Sequence, residues 1–225
     1  MIKIDFEKPH ISYRNSEGKV IGGVTTILNV LNKPALIPWA YARGQQGVSL
    51  YGSRDKAANI GTIVHARIMA YYRGEEIDNS NIAPDIWGMT NNSLQSFFEW
   101  TKNRDIKPII VEKPMISEKY GYGGTPDIFG EMDGEPTLLD FKTGSGIYEE
   151  HFIQIAAYLQ LFKEAGCIVQ KIVILNIPKT QDDYFSIQSI SADGPLMDLR
   201  FRKFIKVLDI YNLDREIKKL KKGEI

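Results

Sequence analysis

The chain is predicted to be an α/β protein in which a mixed sheet is flanked by helices. Three observations predict it. Helical hydrophobic spacing dominates the N-terminal part. Short alternating segments punctuated by Gly, Pro and Asp-Gly follow between Ile109 and Lys142, and the order helix, strand, strand, helix then runs to the end. The composition suits one substantial core: 225 residues, 43% hydrophobic and 25% charged, with 19 Gly and 10 Pro.

Thr25 to Leu31 reads as a short helix stopped near Pro34, and Ile37 to Gly44 as a second fragment carrying Trp39 and Arg43. Ala57 to Tyr72 places Ile60, Val64, Ile68 and Tyr71 or Tyr72 at helical spacing, and Ser93 to Lys102 continues the helical material. Ile109 to Met115, Thr125 to Met132 and Thr137 to Lys142 are β-type segments, expected as a three-stranded meander. Tyr148 to Ala165 is an amphipathic helix ended by Gly166. Ile168 to Ile177 and Tyr184 to Ile190 read as strands, and Pro195 to Lys222 as a last helix. With no repeat, low-complexity segment or linker, a single domain is expected over 1–225: an N-terminal elaboration (1–58), a core (59–190) and a C-terminal helix (191–225).

Lys plus Arg and Asp plus Glu are both 28, so no bulk basicity advertises a nucleic-acid partner. The distribution is uneven: from Pro195 onward nine basic residues meet five acidic ones, leaving that end +4 and the rest −4. A solvated face and a phosphate-binding face are both open readings of that helix. The single cysteine, Cys167, cannot form an internal disulfide or supply a four-cysteine metal site, so any metal must sit on oxygen or imidazole ligands. No apolar run approaches a membrane span and Met1 to His10 lacks an apolar signal core, so a cytoplasmic location is expected.

Asp133-Gly134 is a two-residue type I′ hairpin signal, and as a loop it pairs residues whose numbers sum to 267. Met132 then faces Glu135, Glu131 faces Pro136 and, further out, Asp127 faces Asp140. Alternation puts Pro136 in a non-hydrogen-bonded pair, where its missing N–H costs nothing. Asp127 and Asp140 fall in the same closer kind of pair, with Cα atoms about 4.5 Å apart. Side chains alternate, so Lys142 shares their face while Leu139 and Phe141 take the other. Two readings stay open here: Lys142 neutralises two surface aspartates, or the carboxylates share a hard cation such as Mg²⁺ at about 2.1 Å from each oxygen.

Spacing beyond the hairpin adds a resemblance. Gly124-Thr125-Pro126-Asp127, Asp140-Phe141-Lys142 and Gln154-Ile155-Ala156-Ala157-Tyr158 resemble the G-x-x-D, (D/E)-x-K and Q-x-x-x-Y motifs of the PD-(D/E)XK nuclease superfamily, in its RecB-like exonuclease branch. Gly61-Thr62-Ile63-Val64-His65 is similar to the branch's helical G-x-x-x-H element. Val24 to Leu28, Lys33 to Leu36 and Trp39 resemble the N-terminal part of phage-type members. The single cysteine excludes the iron-sulfur subgroup.

The resemblance implies a three-layer restriction-endonuclease-like fold with a helical N-terminal elaboration. It also implies Mg²⁺- or Mn²⁺-dependent exonucleolytic hydrolysis of DNA with a free end, in phage or mobile-element recombination, repair or DNA processing, alongside a single-strand annealing or replication protein. Asp127, Asp140 and His65 would hold metal, and Lys142 would orient the attacking water and stabilise developing charge. Gln154 and Tyr158, one turn apart on one helix face, would support the lysine or the DNA strand. Lys33, Trp39 and Arg43 would contact DNA. Glu112 resembles the glutamate of a weaker motif. By residue type alone, His65 is an ordinary half-buried helix histidine, and His151 and His10 are structural. An endonuclease on the same fold and a catalytically silent DNA-binding module are the alternatives.

Overall fold

Along the chain, the computed structural model begins with strands β1 (Ile2–Lys3) and β2 (Gly22–Gly23) and helices α1 (Val24–Leu28), α2 (Leu36–Gln45) and α3 (Leu50–Arg73). Then come β3 (Ile77–Asp78), α4 (Pro84–Thr101), β4 (Ile106–Val111), β5 (Met115–Ser117), β6 (Tyr122–Gly124), β7 (Ile128–Met132) and β8 (Glu135–Lys142). The chain ends with α5 (Glu149–Glu164), β9 (Lys171–Asn176), β10 (Ser186–Ser191) and α6 (Pro195–Lys222). Residues 2–4, 11–31, 36–47, 50–179 and 185–223 are described, without the side chains of 36, 39, 43 and 50–58.

Five strands form the central sheet in the order β10-β9-β8-β7-β4; β8 and β9 are parallel and the other neighbours antiparallel. A parallel pair needs a crossover, and α5 supplies it. One face carries Ile128, Leu139, Phe141, Val173 and Leu175 against Val64, Ile68, Leu94, Phe97 and Trp100 of α3 and α4. The other carries Phe129, Leu138, Ile172 and Ile174 against Ile155, Ala156, Leu161 and Phe162 of α5, with Phe204 and Leu208 of α6 in the same cluster. The expected three-layer arrangement, helices on both faces of a mixed sheet, is therefore present. Among the described residues no helix is long and apolar enough to cross a membrane.

The β7–β8 hairpin has the predicted register, from Met132 with Glu135 to Ile128 with Leu139. Asp133 (φ 54°) and Gly134 (φ 86°) both have the positive φ that a type I′ turn requires. The ladder stops one residue short of Asp127 and Asp140, because the next hydrogen-bonded position would bring Pro126 opposite Phe141. Asp127 takes over there: its Oδ2 accepts the Phe141 N–H at 2.7 Å.

Some boundaries differ from expectation. Helix α3 begins at Leu50 instead of Ala57, and α4 begins at Pro84 instead of Ser93; the proline occupies a first-turn position, where its missing N–H costs nothing. The segment Ile109 to Met115 is two strands in two sheets. Glu112 adopts φ 45° and Pro114 follows, so β4 ends at Val111 and β5 pairs instead with β6, in a three-stranded sheet ordered β2-β6-β5. Strand β6, Tyr-Gly-Gly, is illegible by propensity. Its two glycines are required by contact: a Cβ on Gly123 would lie 2.2 Å from the Tyr13 ring, and one on Gly124 would lie 2.7 Å from the Tyr158 ring.

Gly130 of β7 lies under the irregularity of β4 between Pro108 and Ile110, where a Cβ would meet the Lys107 carbonyl oxygen at 2.2 Å and Pro108 Cα at 2.8 Å. Both obstacles are backbone, so relief requires moving a strand. Gly130→Ala is expected to cost about 1–3 kcal/mol, read as a lower urea midpoint. An unchanged midpoint would show that β4 and β7 are not in such close approach.

Candidate active site

The carboxyl end of β8 carries the cluster. Asp140 and Lys142 point toward α5 while Leu139 and Phe141 enter the α3/α4 core, as the period of two requires. Asp140 is 2% exposed. The Lys142 ammonium is 2.6 Å from Asp140 Oδ2, yet that buried oxygen has no aligned hydrogen-bond partner. Lys142 Nζ instead donates to Gln154 Oε1 at 3.0 Å, and Gln154 Nε2 donates to the Tyr158 hydroxyl at 2.9 Å. The Gln and Tyr four residues apart thus fix the lysine from one face of α5.

His65 comes from the opposite layer. A Cβ at Gly61 would lie 2.7 Å from Thr143 Oγ1, so glycine lets α3 approach the segment just after β8. One turn on, His65 Nδ1 reaches to 3.6 Å from Asp127 Oδ1, with its ring edge-on to Phe141. The motif Gly61…His65 therefore has a steric half and an electrostatic half.

The two aspartates are held differently. Burial pushes the Asp140 carboxyl up to about 6, the Lys142 charge opposing this and the Asp127 charge adding to it. Burial also raises Asp127, but His65, Lys142 and the Phe141 N–H together outweigh it, and the net shift is downward. His65 is shifted upward: burial lowers it and the Asp127 carboxylate more than restores it. The site thus holds one carboxyl shifted downward and one shifted upward.

Among the described residues no three His, Cys, Asp or Glu side chains are gathered into a group that would hold a metal ion on its own. The donor set still suits a hard divalent cation. Mg²⁺ uses one or two carboxylates and keeps waters or substrate phosphates for its other positions, and the buried carboxylate of Asp140, whose Oδ2 pairs with the Lys142 ammonium but accepts no aligned hydrogen bond, is an oxygen donor of that kind.

Other candidates lie as follows. Glu112 Oε2 is 3.3 Å from Arg73 Nη2 of α3, and its backbone N–H bonds the Asp127 carbonyl at 2.8 Å. It steadies the backbone of Asp127 while its carboxylate is engaged by Arg73. His151 Nδ1 accepts the Tyr148 N–H at 3.1 Å, capping α5, the structural role expected of it. Lys33 and His10 lie outside the described residues. Trp39 and Arg43 fall on α2, but their side chains lie outside the described set. No motif or periodicity pointed to Tyr13, whose hydroxyl is 2.8 Å from Thr125 Oγ1, two residues before Asp127. Only the facing glycines Gly23 and Gly123, which make room for its ring, could have hinted at it.

No protein-family profile matches the chain, and no curated protein matches it. Among solved structures, an alkaline exonuclease from Laribacter hongkongensis is similar at 13% identity over 60% of this chain and 71% of that one, with a TM-score of 0.39. Its complex with dAMP is similar at 14% over 75% of this chain and 91% of that one, TM-score 0.40. A candidate exonuclease from Eubacterium rectale is similar at 13% over 74% and 69%, TM-score 0.47. Similarity at this level does not identify the chemistry of this chain; its side chains must.

A raised carboxyl pKa penalises the folded state once the unfolded chain has ionised. Between the ordinary aspartate value of 3.8 and about 6, folded Asp140 keeps a proton that the unfolded chain gives up, so its contribution to stability falls as pH rises through this window and stays lost above it. Relative to wild type, metal-free Asp140→Asn should therefore gain up to about 2–3 kcal/mol between pH 4 and pH 6. A stability difference that is flat across that window would contradict the assignment. Asp127→Asn should behave oppositely and lose stability above pH 4, because its lowered pKa marks a charge the fold favours.

Proposed function

We propose that this chain is a metal-dependent DNA exonuclease, working as a single nuclease domain with Mg²⁺ or Mn²⁺. The observation that carries the reading is the buried carboxylate of Asp140, ion-paired at 2.6 Å with a lysine that Gln154 and Tyr158 fix. Ion pairs that merely decorate a surface are exposed and loosely held, whereas here the lysine side chain is 16% and the aspartate side chain 2% exposed.

Phosphodiester hydrolysis needs an activated water, a phosphate held in line and compensation for charge on the attacked phosphate and the leaving oxygen. Asp127 and Asp140, with His65 beside Asp127, would hold the metal, which when bound lowers the pKa of a water and neutralises phosphate charge. An imidazole in the donor set makes Mn²⁺ a good alternative to Mg²⁺. Lys142 supplies positive charge at the mouth of the dyad, where a phosphate oxygen approaches, and Gln154 limits its freedom so that little reorganisation accompanies charge development. Preference for a free end is supported only by the resemblance of the motifs to the exonuclease branch.

Digesting matched linear and covalently closed DNA, single-stranded and duplex, with Mg²⁺ or Mn²⁺ tests the reading: linear substrates should disappear while closed circles persist. Rapid nicking of circles would reassign the chain as an endonuclease, and inertness toward every substrate would leave a binding module. Asp140→Asn and Lys142→Ala should each reduce cleavage by about a hundredfold or more while preserving the fold. Near wild-type turnover by either would remove the cluster from the reaction.

A further inference from the structure

The hairpin that carries Tyr13 has a second side. Its bridge joins Arg14 and Val20, and the Ile21 N–H bonds the Tyr13 carbonyl at 3.0 Å. Ile21 also lines a cleft of about 280 Å³ between this hairpin and the last turns of α6. Lys19, Arg215 and Lys219 enter the cleft against one carboxylate, Glu216, and Tyr120 forms part of its wall. Among the described residues none of these three cations is held in an ion pair, in contrast to Arg200 of the same helix, which binds Glu149 through two contacts of 2.8 and 2.9 Å.

We propose that this cleft binds the phosphate backbone of a single DNA strand, as an auxiliary site continuous with the catalytic cluster through the Tyr13 hairpin. The inference rests on the nuclease reading. A concave surface lined by three cations with no ion-pair partner among the described residues has the chemistry of a phosphate-tracking groove; Arg215 also lies over the Tyr211 ring, and Tyr120, edge-on to Phe201 and beneath Lys119, serves as wall. Helix α6 also presents Ile210, Leu213, Ile217 and Leu220 to solvent. A membrane-surface helix would need those apolar side chains flanked by its cations. At 100° per residue they lie on the side of α6 opposite Arg215, so the cleft and the apolar stripe face different ways. Lys206 and Lys221 border that stripe, so a lipid contact would use the stripe and not the cleft, which leaves the cleft to a polyanionic strand. It also assigns the basic end of the chain, whose charge alone left two readings open, in favour of phosphate binding for the positions that face the hairpin.

Full-length protein in EDTA, where no cleavage occurs, is titrated with a fluorescent single-stranded oligonucleotide at several salt concentrations, with anisotropy as the readout. Lys19→Gln/Arg215→Gln/Lys219→Gln should bind about tenfold or more weakly, and the slope of log K against log salt should fall by about 2, each lost phosphate contact contributing about 0.7. Lys206→Gln/Lys218→Gln/Lys221→Gln removes the same charge from the other sides of α6 and should stay within twofold of wild type. Lys19→Gln/Lys219→Gln, which alters only exposed side chains, carries the test should the Arg215 change disturb folding. Equal losses in the two triple variants would mean net charge alone. That result, unaltered binding by the cleft variants, no binding by wild type, or a loss confined to anionic phosphatidylserine vesicles would each overturn the inference. Cleavage is read separately with Mn²⁺. A chain that never cuts DNA yet shows the cleft-specific loss refutes the nuclease reading alone, and one that cuts but lacks the loss refutes the cleft alone.

Discussion

A carboxylate buried at the end of a central strand is costly unless something positive meets it, and Asp140 sets that condition for the surrounding structure. Its strand lies in the middle of the five-stranded sheet, with helices on both faces, so water cannot supply the compensation. Lys142 supplies part of it from two residues away on the same face. What remains is an oxygen without a hydrogen bond and a carboxyl raised to about 6. On the proposed reading, that group is the place a cation would take.

The other residues of the cluster follow from holding this arrangement still. Gly124 leaves room for the Tyr158 ring, Tyr158 holds Gln154, and Gln154 holds Lys142. On the other side Gly61 admits α3 to Thr143 and brings His65 to Asp127, while the Phe141 N–H fixes the Asp127 carboxylate. Each motif thus pairs a steric element with a polar one. A glycine or a short strand permits an approach, and a charged or hydrogen-bonding side chain uses it.

Much of this was legible in the sequence because two periodicities fix it. The Asp133-Gly134 turn dictated the register through Leu139, and the strand period of two then placed Asp140 and Lys142 on one face. The helical period placed Gln154 under Tyr158. The close cross-strand pair expected of Asp127 and Asp140 falls outside the observed ladder for reasons beyond the hairpin pattern: Pro126 ends the ladder, and His65, from a helix far back in the sequence, lies 3.6 Å from Asp127. Strand β6 and Tyr13 were illegible for a related reason. Their positions are set by a ring lying on glycines distant in sequence, which no local propensity encodes. The break at Glu112 was hidden because an apolar run on both sides of it reads as one strand.

The central claim is that the buried oxygen of Asp140 is a cation ligand. Melting wild type and Asp140→Asn at pH 7, in EDTA and in saturating Mn²⁺, tests it most directly, because the readout is independent of any DNA substrate. A cation at a hundredfold excess over its Kd stabilises the folded state by about 2.7 kcal/mol. For a domain of this size that corresponds to a rise of about 5–10 °C in Tm. The account predicts such a rise for wild type and little or none for Asp140→Asn. Equal metal-induced shifts in the two proteins would contradict it.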